Sequence, residues 1–273
     1  LPMILSTYYF KNTLYELHDF PVNNLFLYRL LFKRLRWILV TNYWKIKKLE
    51  QIFNITTDKI FCERNAVDIK KFDIPLSKEE ARKKLELPET KNIITYTGHL
   101  YTWKGVDVLA NAADKLPANV LVVFVGGTEE DVRKFRSKYG DKENIKIIGH
   151  RDHSEIPIWQ KASDILILPN TAKEDISKYY TSPMKLFEYM ASRRPIIASN
   201  IPSITEILNN NNALLVDPDN PSELANRITH LLKNLELCET LINKAYEDVF
   251  YHTWDLRAGR IINLIETKIN SAP

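Results

Sequence analysis

The sequence predicts an α/β protein organised on doubly wound parallel sheet, with one complete unit and one incomplete unit. Three observations predict it. From about Asn92 onward, β-branched apolar runs alternate with amphipathic helical stretches. Gly, Asn, Asp or Pro stands at most of the joints between them. The 273 residues, 45% hydrophobic and 26% charged, are enough for two compact units, each with its own core. Continuous apolar strands that alternate with helices mean a parallel sheet covered on both faces.

In chain order, residues 1–76 read as strand, helix, strand, helix, strand: TLYELHD, NNLFLYRLLFKRLRW, ILVTN, YWKIKKLEQIF and DKIFCERN. Three strands and two helices make an incomplete domain. The chain opens at Leu1 rather than Met, inside what reads as a strand, so the amino end is expected to be missing. PLSKEEARKKLELPETK, charged and bounded by Pro75 and Pro88, reads as a connector with one helical stretch and places a hinge at 77–90. Residues 91–235 then alternate strictly. The strands are NIITYTG, NVLVVFVGG, NIKIIGH, DILILPN, PIIASN and ALLVDPD; the helices are KGVDVLANAADKL, EEDVRKFRSKYG, SEIPIWQKA, MKLFEYMAS, SITEILNN and PSELANRITHLLKNL. The tail, 236–273, is helical with no strand left to cover, so it is expected to pack back across the hinge.

Composition excludes several classes. Thirty-eight Lys and Arg against thirty-four Asp and Glu leave a net charge of +4, too weak for a nucleic-acid partner but compatible with an anionic small ligand or an anionic membrane surface. Cys62 and Cys238 form no CxxC and suggest neither a disulfide framework nor zinc, so a reducing cytoplasm fits. His18, His99, His150, His153, His230 and His252 include no HxxxH or HExxH pair, and no metal is expected. No run of 18 apolar residues and no signal-peptide progression is present. G-x-S-x-G, G-x-G-x-x-G and P-loop patterns are absent too.

Three segments carry candidate chemistry. In YTGHLYTWKGVDVL a strand ends at Gly98 and a helix starts after Gly105. Ligands of open parallel sheets bind at strand carboxyl ends; Gly98 lets the backbone approach closely, and Lys104 offers a point charge for phosphate. The alternative is a solvated lysine beside a tight turn. In YYTSPMKLFEYMASRRPIIAS, Thr181 or Ser182 is expected as N-cap, with Pro183 in the first helical position. The free amides at that helix start suit an anion. Glu188, between Phe187 and Tyr189, matches a vicinal diol such as ribose, or else pairs with Arg193 or Arg194. In YELHDFP, His18 ends a strand and either meets a substrate hydroxyl or sits satisfied in a loop.

Taken in this order, the segments resemble the retaining glycosyltransferases of family four, whose GT-B architecture sets two Rossmann-like domains face to face. TGHLYTWKG is similar to that family's glycine, basic residue and lysine-glycine loop; VVFVGG and DILILPN keep its spacing; SPMKLFEYMASRRPIIAS is its most distinctive stretch. ERNAVDIKKF and YHTWDLRAGRII resemble its hinge approach and closing helix, so the resemblance runs from about Tyr15 to Glu266. It implies a complete C-terminal Rossmann-like domain and an incomplete N-terminal one.

The resemblance also implies roles. Lys104 would bind the donor diphosphate, with His99 where the family more often has arginine. Glu188 would hold the donor ribose as the second glutamate of a Glu, seven residues, Glu pattern, and Tyr180 stands where the first would be. Ser182 and Pro183 would touch the sugar through backbone groups, and the main-chain amides of Met184 and Lys185 would meet the phosphate. His150 and Arg151 would flank the nucleotide base, and His18 would reach over from the first domain to the donor sugar. The implied reaction moves a sugar from a UDP- or GDP-linked donor to a glycan or lipid-linked acceptor hydroxyl with retention of configuration, without metal or further cofactor, in polysaccharide biosynthesis. The family's opening strands and glycine-rich loop have no counterpart here, so either the chain is a fragment or a partner chain supplies that part and covers the sheet edge. A non-catalytic nucleotide-binding or partner-binding subunit is the alternative, and an epimerase of the same architecture a more distant one. Residues 21–49 carry Arg29, Lys33, Arg34, Arg36, Lys45, Lys47 and Lys48 with no acidic residue before the end of the run. They read either as a basic amphipathic surface for peripheral contact with the inner membrane or as a solvated helix face.

Overall fold

Two parallel sheets, of three and six strands, organise the chain. The structure is a computed structural model and describes residues 2–10, 12–21 and 23–270. The first unit runs α1 (Pro2–Tyr9), β1 (Leu14–Leu17), α2 (Leu25–Arg34), β2 (Trp37–Val40), α3 (Tyr43–Phe53) and β3 (Ile60–Cys62), with sheet order β1-β2-β3. WILV of β2 is buried throughout because it is the central strand. Leu17, Leu31, Phe32, Ile38, Val40, Leu49 and Phe53 close around it as one core.

The amino end departs from expectation: Pro2–Tyr9 is a helix, not a strand, and Leu1 lies outside the described residues. Proline is tolerated in a first helical turn because its missing N–H would have had no partner there. Ile4 packs against the core, and Arg34 Nε donates to Thr7 Oγ1 at 3.3 Å. Lys45 is a second correction, since it does not belong to the basic surface. It is fully buried, and its Nζ donates to Thr41 Oγ1 at 2.7 Å and to the carbonyls of Leu17 and His18. Burial pulls its pKa down to about 8.

After the short α4 (Ile69–Phe72), the connector holds α5 (Lys78–Lys84), started by a capping box of Ser77 and Glu80. Arg82 and Lys78 of α5 reach Asp164 at 2.5 and 2.9 Å, and that carboxylate also accepts from Ile93 N at 2.6 Å. The connector is thereby clasped to the second unit.

That unit contains β4 (Asn92–Thr97), α6 (Val106–Ala113), β5 (Val120–Val125), α7 (Glu129–Tyr139), β6 (Ile145–Gly149), α8 (Ile156–Lys161), β7 (Ile165–Leu168), a π-helical turn (Ile176–Tyr180), α9 (Met184–Ala191), β8 (Ile196–Ser199), α10 (Pro202–Thr205), β9 (Leu214–Val216) and α11 (Pro221–Leu232). The order β6-β5-β4-β7-β8-β9 reverses direction between β4 and β7, which opens a crevice at their carboxyl ends. Along β5, Leu121, Val123 and Val125 join one core and Val120, Val122 and Phe124 the other, as a doubly covered sheet requires.

The tail divides. In α12 (Leu235–Val249), Ala245 and Val249 join the core of the six-stranded unit. In α13 (Trp254–Asn270), Arg257 donates to the Arg64 carbonyl at 2.9 Å and pairs with Glu16, while Arg260 meets Glu63 at 2.9 Å. Thus α13 packs back onto the three-stranded unit.

Candidate functional site

Three strand ends are joined in series at the crevice. Gly98 N donates to the Val125 carbonyl and Gly126 N to the Gly149 carbonyl, both at 2.7 Å. The loop from Gly98 to Gly105 leaves β4 and packs on the end of β7. Gly98 has φ 123°, and a Cβ at Gly105, φ 71°, would fall 1.8 Å from the Pro169 carbonyl oxygen. Both positions therefore require glycine.

Between these glycines the loop stacks its aromatic and basic side chains. His99 lies parallel to Tyr101 with ring centroids 4.9 Å apart, and Lys104 Nζ sits 5.0 Å from the Trp103 centroid. Burial lowers the pKa of both; for His99 the neighbouring Lys104 adds in the same direction. His99 is thus held toward its neutral form, while Lys104 is a partly desolvated cation.

Across the crevice stands α9. Tyr189 anchors it to the end of β4, its hydroxyl accepting from Thr97 N at 2.9 Å. The start of α9 corrects the expected cap: Pro183 occupies the N-cap position itself, and no side chain caps the helix. The Thr181 and Ser182 carbonyls accept instead from Asn42 Nδ2 at 3.0 Å and Asn65 Nδ2 at 2.7 Å, reaching over from the three-stranded unit. Asn42 also donates to the Tyr179 carbonyl at 2.9 Å. That double grip fixes the loop that leads into α9, whose first residues Met184 and Lys185 line the cavity and whose first amides no side chain caps.

Glu188, 7% exposed, accepts from His153 at 3.1 Å and does not pair with Arg193 or Arg194. Arg193 lies past the helix end at φ 55° and turns away to Asp73, 3.1 Å off. Glu188 lines the same cavity, and His153 engages one of its two oxygens.

The result is a cavity of about 510 Å³ between the strand ends and α9. Nine of the eleven candidate residues line it: Gly98, His99, Lys104, His150, Arg151, Pro183, Met184, Lys185 and Glu188. The other two, His18 and Ser182, line a neighbouring cavity of about 710 Å³ between the two units, which shares Trp103, Thr181 and Met184 with the first. His18 is exposed there, 3.3 Å from Glu16. Tyr180 stacks on Phe20 at 4.8 Å and so joins the two units rather than facing the first cavity. Asn42 and Asn65, which hold the loop before α9, and His153 and Asn170, which line the first cavity, are not among the candidates that the sequence singles out; the fold brings them to the site. Among the described residues no group of three or more His, Cys, Asp or Glu is arranged to hold a metal ion, and no helix is long and apolar enough to cross a membrane.

The profile of the family described as "Glycosyl transferases group 1" matches residues 77–248, more than half of the chain. Among curated relatives, the uncharacterized glycosyltransferase MJ1607 of Methanocaldococcus jannaschii is 24% identical over 222 residues, 78% of this chain and 55% of that protein. The putative teichuronic acid biosynthesis glycosyltransferase TuaC of Bacillus subtilis is 27% identical over 153 residues, 56% of this chain and 36% of its own. The chain thus spans about half or less of the length of these relatives. Among solved structures, a glycosyltransferase from Rickettsia africae superposes with a TM-score of 0.81 at 21% identity, covering 98% of this chain and 74% of that one. HepE of Anabaena, in complex with UDP and glucose, superposes with a TM-score of 0.79 at 20% identity, covering 96% and 72%. At these identities the likeness is one of fold, and the fold is GT-B.

Proposed function

The chain belongs to the group 1 glycosyltransferases, and from that premise we propose that its crevice cavity binds a nucleotide-diphosphate sugar, UDP- or GDP-linked, whose sugar passes to an acceptor hydroxyl. The observation that carries this is the convergence of nine candidate residues from three separate chain segments on one cavity. Lys104 and the first amides of α9 are the groups for the diphosphate. Aimed at the charge that develops as the diphosphate leaves, they lower the barrier electrostatically. Glu188 takes the ribose hydroxyls, and the His150–Arg151 turn takes the base. Attack from the face the leaving group vacates gives retention of configuration.

The neighbouring cavity is the acceptor's place in this reading. His18, Asp19 and Thr41 offer polar contacts there, while Phe20, Leu25 and Ile176 offer apolar ones, which suits a glycan carried on a lipid. Helix α2 exposes Leu25, Phe26 and Leu27 beside Arg29 and Lys33, a composition that supports peripheral contact with an anionic lipid surface.

Calorimetric titration of the chain with UDP, GDP, ADP and their sugars tests the donor reading. One nucleotide is expected to bind selectively, and Glu188→Ala and Lys104→Ala each to weaken it about tenfold or more, as loss of a charged hydrogen bond would. A folded chain that binds none of them overturns it and leaves a partner-binding subunit.

A further inference from the structure

One buried basic side chain of the cavity lacks a hydrogen-bond partner. Lys185 sits in the first turn of α9 and is 9% exposed. Its Nζ makes no hydrogen bond and lies 3.8 Å from the Tyr96 ring centroid, directly under Gly98, where an added Cβ would come within 2.8 Å of it. The buried Lys45 is a useful contrast, because its Nζ is satisfied by a hydroxyl and two carbonyls. A buried lysine without such partners is costly in its charged form. This one also stands at the positive end of a helix, which adds to the cost.

The surroundings offer little relief. The titratable and charged groups that face Lys185 are Tyr96 from β4, His99 and Lys104 from the loop that follows, and Glu188 from its own helix. Tyr96 gives its hydroxyl to the His99 carbonyl at 2.7 Å, and Glu188 is engaged by His153. Two lysines and a helix amino terminus therefore converge on one cavity lined by a single carboxylate, one oxygen of which His153 engages.

We propose that the Lys185 ammonium is a further ligand for the diphosphate of the nucleotide, meeting it from the floor of the cavity beneath the Gly98 loop. This rests on the reading of the cavity as a donor site. It goes beyond that reading in giving the side chain, and not only the amide, of Lys185 a part in binding. Burial pushes the Lys185 pKa well below the ordinary lysine value, Lys104 adds to the shift, and Glu188 opposes it. An arriving dianion reverses that balance, so Lys185 takes a proton from solvent as the ligand binds. Diphosphate binding is then accompanied by net proton uptake, and affinity rises as pH falls.

The test uses the full chain, with UDP, GDP and ADP as probes, titrated calorimetrically at one pH in two buffers of different ionisation enthalpy. Wild type and Lys185→Met are compared, with the parent nucleosides followed in parallel by saturation-transfer NMR. The expected result is a loss of about tenfold or more in diphosphate affinity in the variant, unchanged nucleoside binding, and proton uptake in wild type that the variant has lost. Equal diphosphate affinity in the two proteins overturns the inference and leaves the donor reading standing. An equal loss for nucleoside and diphosphate, with a lower melting temperature, overturns it too and makes Lys185 a packing residue. Wild type that binds no nucleotide overturns the donor reading itself, and this inference with it.

Discussion

The two units hold their functional groups by different physical means. In the six-stranded unit the site is made mostly of backbone: three strand ends tied by main-chain hydrogen bonds, two glycines in conformations that favour glycine, and a helix start that no side chain caps. In the three-stranded unit the contribution is made by side chains: Asn42 and Asn65 reach across to the loop before α9, and Lys45 braces, within the unit, the turn that carries His18. A backbone-built site is as rigid as its sheet. A side-chain-built one is only as firm as a few polar contacts, so the six-stranded unit is suited to hold a ligand rigidly and the three-stranded one to adjust.

The rigid end of that contrast is broken most directly at Asp164, which gathers Arg82, Lys78 and the amide of Ile93 beside the start of β7. Asp164→Ala leaves Arg82, 5% exposed, charged and without its carboxylate. The expected loss is about 3–5 kcal/mol, the range for removing one partner of a buried ion pair, read from urea denaturation. A loss below about 1 kcal/mol would mean that the clasp between connector and sheet is a surface pair in effect.

The adjustable end is tested by Asn42→Ala. It strands the carbonyls of Tyr179 and Thr181 and removes the cap of α3, whose Lys45 amide the Asn42 side chain accepts at 3.1 Å. Roughly 1–3 kcal/mol is expected. Amide exchange should quicken across 176–183 while that of β4 and β5 stays unchanged. Faster exchange throughout the large sheet would show that the two units unfold as one, and the contrast would lose its dynamic meaning.

The same contrast explains what could be read before the fold was seen. Glycines clustered at strand ends, and a Ser-Pro before an amphipathic helix, are local signatures of backbone geometry, so the loop at Gly98–Gly105 and the start of α9 were legible. Strand and helix order in 91–235 followed from apolar periodicity, because the four central strands β4, β5, β7 and β8 are buried on both faces. The grip of Asn42 and Asn65 joins residues more than a hundred positions apart in sequence and leaves no local mark. The N-cap went wrong for that reason: Thr181 and Ser182 are good caps in isolation, but tertiary hydrogen bonds fix their backbone and leave Pro183 at the boundary. Helix α1 was misread as a strand because PMILSTYY is apolar without a clean period, and packing against α2 decides it. Lys45 looked like one more surface cation, and only the three oxygens around its Nζ show that it is a buried brace.

His252 lies where the units meet and gives the smallest expected effect. Its carbonyl accepts from Val67 N at 2.9 Å and its ring packs on Phe187 of α9 at 5.0 Å. Burial, then Arg64 and Arg260, pull its pKa down to about 4, with Asp248 opposing. The unfolded chain binds that proton near the ordinary value of about 6.5, so between the two the unfolded state holds more protons and stability falls with pH. The contribution is whole above about pH 6.5 and is lost as pH drops toward 4. Because the ring is partly open to solvent, screening trims the effect to roughly 1 kcal/mol, about 2–4 °C in melting temperature. His252→Gln should flatten the wild-type decline between about pH 7 and pH 5 by that amount. If the two profiles run parallel, the seam between the units is insensitive to acid at this residue, and the acid response belongs to carboxylates elsewhere.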